Sequence, residues 1–428
     1  MNKTLLLIGY VWPEPNSSAA GVRMLQLIEL FHRHAWQVVF ASPAALSEHR
    51  YDLHGLGVKE CQIQLNHASF DQFVSELNPQ AVIFDRFMME EQFGWRVAKA
   101  CPDALRILNT EDLHSLRQAR ENRLKQRLKQ PGFDLAELWQ SDATTLYDLM
   151  ATTENTQREV AAIARCDLTL MISGFESQLL QTAFQIPTGH LFTLPFLYNQ
   201  PAAAPKKFEE RQQMVFIGNF RHAPNWDAVL WLKTELWPKI RTRLPQAELH
   251  IYGAYPSQKV TDLHNPKQGF IVKGWAKDAM QVIGDARLLL APLRFGAGIK
   301  GKLAEAMLCG TPSITTPIGA EAMQPEHKEW PGAVASTVES FVQQAVTLYE
   351  NASDWQRASQ SARQQGTEQY CRIDSGENLL RRIQALLENL PTHRKSYFTG
   401  LMLNHHHHKS TQYMGQWIEA KNRLKNSL

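Results

Sequence analysis

The sequence predicts an α/β fold of two Rossmann-like domains facing each other across a deep cleft. Three observations predict it. Short, continuously apolar runs alternate with amphipathic segments, the pattern of parallel strands covered on both faces by helices. The alternation comes in two series, separated by the proline-, alanine- and charge-rich stretch FLYNQPAAAPKKFEERQ at 196–212. A length of 428 residues suits two or three domains of ordinary size.

The first series, residues 1–195, has strand-like runs at Leu5–Tyr10, Trp36–Ala41, Ala81–Phe84, Ala104–Leu108 and Asp167–Ile172. Ala20–His32 between the first two has helical periodicity. A less regular helical insertion occupies about 113–160. The second series, 213–375, has strands at Gln213–Ile217, Glu248–Tyr252, Phe270–Val272, Ala286–Ala291 and Pro312–Thr316. Its helices fall at Asn225–Leu244, Ala276–Ile283, Gly301–Cys309 and Val338–Glu350. A C-terminal helix at 376–390 and a histidine-containing amphipathic tail at 391–428 complete the chain.

Composition narrows the function. Hydrophobic residues make up 44% and charged residues 20%, enough to build a core and to argue against general disorder. A net charge of +3 is too small to indicate a nucleic-acid partner. Cys61, Cys101, Cys166, Cys309 and Cys371 are scattered, which excludes a disulfide scaffold and fits a reducing cytoplasm. MNKTLLLIGY runs straight into Pro13-Glu14-Pro15-Asn16-Ser17, so it reads as a strand entering a loop rather than a signal peptide. No apolar window approaches the roughly 20 residues of a membrane span. Two segments leave surface attachment open. Arg117, Arg120, Arg123, Lys125, Arg127 and Lys129 crowd one helical stretch, opposed mainly by Glu121. YMGQWIEAKNRLKNSL near the C-terminus is aromatic and basic. Each is read as a solvated or packing helix or as a contact for an anionic membrane surface. The run His405-His406-His407-His408 has no metal-site spacing, and no metal is expected.

The chemistry concentrates in the second series. Met214–Ile217 runs into Gly218-Asn219, where peptide amides can approach a phosphate. The most informative run is APLRFGAGIKGKLAEAMLCGTP, 291–312. It joins an apolar strand to a glycine-rich turn and a helix. Gly296, Gly298 and Gly301 allow close backbone approach, Lys300 and Lys302 add charge, and Glu305 follows Lys302 by about one helical turn. That combination suits a nucleoside diphosphate. The GK[ST] ending of the common ATPase phosphate loop is absent.

These two segments, FIGNFRHAPNWDAVLWLKTELWPKI and LRFGAGIKGKLAEAMLCGTPSITTPIGAEAM, resemble the retaining, nucleotide-sugar-dependent glycosyltransferases of family 4, group 1, with the glycosyltransferase-B (GT-B) fold. The spacing of the resemblance extends over about residues 1–390. It implies an acceptor-binding first domain and a donor-binding second domain. It places Asn16, Gly21 and Arg23 near the donor diphosphate, and Gly218 and Asn219 in the first donor-domain loop. Tyr252, Gly253 and Trp275 fall in base-contacting loops, Glu305 at the ribose, and Lys302 at the diphosphate. Position 297 is alanine where the family usually has a glutamate against the transferred sugar. Arg294, Lys300 and Lys302 stand in for an altered Arg/Lys pair after the first donor-domain strand.

ILNTEDLHSLR, 107–117, resembles the region that presents a histidine toward the transferred sugar, with Asn109 at the usual histidine position and Glu111, Asp112 and His114 displaced beyond it. His114 and Asp112 are the candidates there, against a packing role for His114 and a helix N-cap for Asp112. The implied reaction moves a sugar from a nucleotide sugar to a hydroxyl of a saccharide or lipid-linked saccharide, in bacterial surface polysaccharide synthesis. No cofactor beyond the donor is required. The implied location is the cytoplasm, at or near the inner membrane face. A sugar-nucleotide epimerase or phosphorylase, and a non-catalytic saccharide-binding protein, are the alternative readings.

Overall fold

The computed structural model describes residues 3–200 and 204–426. Two all-parallel sheets organise it. The first contains β1 (Lys3–Ile8), β2 (Trp36–Ser42), β3 (Lys59–Gln62), β4 (Ala81–Asp85), β5 (Leu105–Asn109), β6 (Leu168–Met171) and β7 (Leu191–Thr193). Their order is β3-β2-β1-β4-β5-β6-β7. The second contains β8 (Met214–Ile217), β9 (Leu249–Tyr252), β10 (Phe270–Gly274), β11 (Leu288–Ala291), β12 (Ser313–Thr315) and β13 (Gly332–Val334), ordered β10-β9-β8-β11-β12-β13.

Alternation within the apolar runs covers both faces of the first sheet. Leu5, Leu7, Val38, Phe40 and Ile83 pack with Leu27, Ile28 and Phe31 of the helix Ala19–Arg33. Leu6, Ile8, Val39, Val82 and Phe84 pack on the other side with Phe93, Leu116 and Ile163 from the helices Phe87–Ala100, His114–Arg127 and Glu154–Arg165. The second sheet is built the same way. Phe216, Ile251 and Leu290 meet Trp237 and Phe341 on one face; Val215, Leu289 and Ala291 meet Ile283, Leu303 and Met307 on the other.

Three strands escaped the sequence pattern: β3, β7 and β13. Each lies at a sheet edge and is short and partly exposed, so none carries a continuous apolar run. The long helix expected at Asn225–Leu244 is α-helical at Ala223–Trp231 and Trp237–Arg243, with a π segment at Leu232–Leu236 between them. Pro238, which has no amide to donate four residues back, lies two residues past the end of that segment.

The chain after the second sheet returns to the first. Leu379, Ile383 and Leu386 of the helix Ile373–Glu388 enter the same face as Leu5 and Leu7. Arg394 then bonds the Asp167 carboxylate at 2.8 and 2.9 Å. The tail forms a helix, Phe398–Asn426, lying against Glu154–Arg165 and Phe87–Ala100. The outgoing segment between the sheets includes 201–203, and the histidine run includes the side chains of 406–408; both lie outside the described residues.

The basic helix His114–Arg127 carries more paired charge than its sequence suggests. Arg117 pairs with Asp112, Lys125 with Glu121, Arg127 with Glu137, and buried Arg120 with Glu321 of the second domain. Its start is capped from a distance. Leu113 offers no capping side chain, and Glu159 accepts the amides of His114 and Ser115 at 3.0 and 2.8 Å, together with the Ser115 hydroxyl. Replacing Glu159 by Ala leaves these donors buried and unpaired, at a cost of about 3 kcal/mol. Glu159→Gln keeps one acceptor oxygen and is expected to cost less, the two variants being ranked by urea unfolding.

Candidate active site in the interdomain cleft

In each sheet the strand order reverses at its first strand: β1 lies between β2 and β4, and β8 between β9 and β11. The crevice beyond strand C-termini at such a reversal is the general ligand position of open α/β sheets. Here the two crevices face each other. The loop after β1, the loop after β8 and the glycine-rich turn after β11 all line the gap.

Glycines let the backbones close. At Gly218 an added Cβ would lie 2.7 Å from the Asn225 amide, and at Gly253 it would lie 2.0 Å from the Gly218 carbonyl oxygen. At Gly21 it would fall 2.4 Å from the backbone of Glu14. Gly298 has φ +65°, and an added Cβ would lie 2.9 Å from Asp112 of the opposite domain. Gly301 opens the helix Gly301–Leu308, and its Cβ would stand 2.6 Å from Ala19, the first residue of the Ala19–Arg33 helix. Two helix N-termini, one from each domain, therefore converge, and their dipoles favour an anion between them.

The side chains around this point form one cluster. Lys302 donates to Asn225 Oδ1 at 2.6 Å and stands 4.0 Å from the centre of the Phe216 ring. Burial lowers its ammonium to about 7. Lys300 bonds the Gly298 carbonyl at 2.8 Å, and burial lowers it to about 8. Asp112 faces His114 Nε2 at 3.4 Å and pairs with Arg117. Burial alone would raise Asp112, but Arg117, His114 and His222 hold it well below the usual carboxylate range. Burial lowers His114 to about 4 and His222 to about 3, so both imidazoles are neutral near pH 7. Glu305 accepts from the Tyr198 hydroxyl at 3.2 Å, and burial pushes its carboxyl up to about 7.

Not every sequence candidate joins this cluster. Arg23 is buried inside the first domain, bonding Asn109 Oδ1 at 3.1 Å and the Leu194 carbonyl at 2.6 Å. Arg294 makes a two-pronged pair with Asp227 at 3.0 and 2.6 Å, over Trp231. Asn219 shapes its own loop, its side chain accepting the Arg221 amide at 2.9 Å and its carbonyl accepting from Asn225 at 2.8 Å. Asn16 and Trp275 lie together toward one end of the cleft, while Tyr252 ends β9 and packs against the second domain's core. Trp275 stacks on His49 at 4.5 Å and donates to the Asn16 carbonyl at 3.0 Å. Tyr255 beside it donates to Glu14 across the gap at 2.8 Å.

Several cleft residues had no clear sequence signal. His222 lies in the loop that Gly218 opens and was readable only from that position. Glu176 follows Ser173 in an ordinary helix-start pattern, yet its Oε1 accepts both Leu113 N at 3.1 Å and Gly298 N at 2.7 Å. Glu111 and Arg86 have positive φ, 64° and 70°, unusual for non-glycine residues. Glu111 accepts from Asn109 at 2.7 Å, and burial followed by the Asp85 carboxylate pushes it up to about 8. Among the described residues no group of three or more His, Cys, Asp or Glu is placed to hold a metal ion.

Residues 211–351 match the family model described as Glycosyl transferases group 1. No curated protein matches the chain. Solved structures do. Anabaena HepE, in complex with UDP and glucose, is 12% identical with TM-score 0.62, covering 89% of this chain and 99% of its own. Sucrose-phosphate synthase from Thermosynechococcus elongatus is 12% identical with TM-score 0.64, covering 90% and 100%. S. aureus TarM is 13% identical with TM-score 0.53 over 74% of this chain; the match spans 58% of TarM's length. The two facing parallel sheets are thus a GT-B architecture, and its second domain carries the group 1 glycosyltransferase pattern.

Proposed function

We propose that the protein is a retaining glycosyltransferase that moves a sugar from a nucleotide-sugar donor to a hydroxyl of a saccharide or lipid-linked saccharide. The carrying observation is the Gly296–Gly301 turn, which leads into a helix bearing Lys302 and Glu305 and rests against the Asp112–His114 corner. In this reading the facing helix N-termini and Lys302 receive the leaving diphosphate. Glu305 accepts ribose hydroxyls. Tyr252, Gly253 and Trp275 border the base. The anomeric carbon then faces the first domain, where ionised Asp112 and neutral His114 orient the sugar against the incoming hydroxyl. The retaining outcome follows the family 4 resemblance. The group 1 match over 211–351 and the binding of UDP and glucose by HepE support the donor class. Lysine and backbone amides meet the diphosphate charge in this scheme, with no metal assigned.

Attachment to the inner membrane face, with a role in surface polysaccharide synthesis, belongs to the same proposal. Its support is the Phe398–Asn426 helix, where Phe398, Tyr413, Met414, Trp417 and Leu424 are exposed among Lys409, Lys421 and Lys425. No helix among the described residues is long and apolar enough to cross a membrane.

Four outcomes are expected. Titration with UDP, GDP, ADP and their sugar conjugates should find one family of ligands, with Lys302→Met weakening the diphosphate roughly tenfold or more. Because free Lys302 loses its proton near pH 7, wild-type affinity should fall between pH 6 and 9, and Lys302→Arg should flatten that fall. Asp112→Asn should keep donor binding and lose about 100-fold in transfer, read by mass detection of product across an acceptor screen. Donor binding without any new glycosidic bond would favour the saccharide-binding alternative. Sedimentation should favour anionic over neutral vesicles, and salt should weaken it; equal binding to both would remove the membrane assignment.

A further inference from the structure

Ala297 gives the glycine-rich turn no carboxylate, yet one is seated against it from the other domain. Glu176 is fully buried in the first turn of the helix Gly174–Thr182, with Ser173 capping that turn. Its Oε1 takes both backbone amides, Leu113 N from the Asp112–His114 corner and Gly298 N from the turn. Its Oε2 is buried and has no hydrogen-bond partner among the described residues. Buried carboxyl oxygens are ordinarily satisfied, so this atom calls for a partner that the chain does not provide.

The surroundings indicate its chemistry. Asp112 and Lys300 both lie near enough to influence the Glu176 charge. Burial, followed by Asp112, pushes the Glu176 carboxyl up to about 8. A second anion beside Asp112 is disfavoured, and Lys300 already supplies a cation. A neutral hydroxyl fits, because it donates to a carboxylate and accepts from a carboxylic acid equally well. We propose that Glu176 Oε2 pairs with a hydroxyl of the transferred sugar, so that the first domain reads which sugar the donor carries. This rests on the donor-site reading above and adds a specificity-determining residue to it.

The test compares ligands with and without the sugar on the full chain. Glu176→Gln keeps an oxygen for the two amides and changes only the group at the free position; Glu176→Ala removes both. Calorimetry is run with UDP, GDP and ADP, then with sugar nucleotides of the base that binds, including epimers such as UDP-glucose and UDP-galactose where that base is uridine. Glu176→Gln, whose amide nitrogen donates at the free position as a carboxylic acid does, should keep diphosphate and sugar-nucleotide affinity within about twofold of wild type. Glu176→Ala should keep diphosphate affinity, lower sugar-nucleotide affinity roughly tenfold, narrow the spread between epimers and melt earlier. Glu176→Asp, which withdraws the carboxyl by one methylene, should shift the ratio of the two affinities the same way and serves as the test where the alanine variant does not fold. An unchanged ratio and epimer spread in Glu176→Ala or Glu176→Asp would make Glu176 a structural staple and overturn the inference. Failure of the wild-type protein to bind any diphosphate would instead overturn the donor site itself, and this inference with it.

Discussion

Buried polar side chains that cross between the domains hold the cleft in register. Arg120 leaves the first domain to bond Glu321 at 2.6 and 2.8 Å and the Gly296 carbonyl at 2.9 Å. Glu176 ties Gly298 to Leu113 a few residues away. Both contacts are buried, where a broken ion pair or an amide left without its acceptor is costly. They fix the glycine-rich turn against the Asp112–His114 corner. Without them the two crevices would be separate half-sites, each with glycines and a helix end but no opposing wall.

Burial then sets the charge pattern within the cleft. Asp112 stays ionised because Arg117 is beside it, whereas His114 and His222 stay neutral because the same surroundings exclude water. Lys302 and Glu305, one helical turn apart, are both drawn toward neutrality, so a small change in surroundings changes their charge. In the proposed function, an arriving diphosphate would restore the lysine charge and ribose hydroxyls would give the glutamate partners. The strained backbones at Arg86 and Glu111 stand on the first-domain side of this wall, where Arg86 lies 5.1 Å from the Tyr10 ring. Strain of this kind persists only where neighbouring contacts enforce it. Here the Arg86 amide bonds the Asn109 carbonyl at 2.8 Å, and the Asn109 side chain holds Glu111.

Much of the architecture was legible because central strands and amphipathic helices advertise themselves. The apolar runs at Leu5–Tyr10, Ala81–Phe84 and Ala286–Ala291 correspond to strands buried on both faces. Edge strands such as β3, reading KECQ, bury too little to leave a periodic signal. The glycine-rich turn was legible for a similar reason, since close backbone approach restricts residue type. Side chains whose partners are fixed only by tertiary folding were not. Arg120 and Arg117 looked like members of a solvated basic face, because Glu321 and the orientation of Asp112 exist only after folding. Arg294 seemed available for a ligand, and its partner Asp227 lies far away in sequence. Glu176 was concealed by a pattern that ordinarily means only a helix start.

The return of the helix Ile373–Glu388 to the first sheet has a mechanical consequence. The chain crosses between the domains twice, outward after β7 and back after Tyr370, and the crossings meet where the Tyr198 amide bonds the Tyr370 carbonyl at 2.8 Å. Two tethers joined at one point restrain the domains more than one would. Displacement of either domain is opposed by both crossings there, and by the Arg120–Glu321 pair on the far side of the cleft. The glycine-rich turn is thereby held against the opposite wall from two places rather than one.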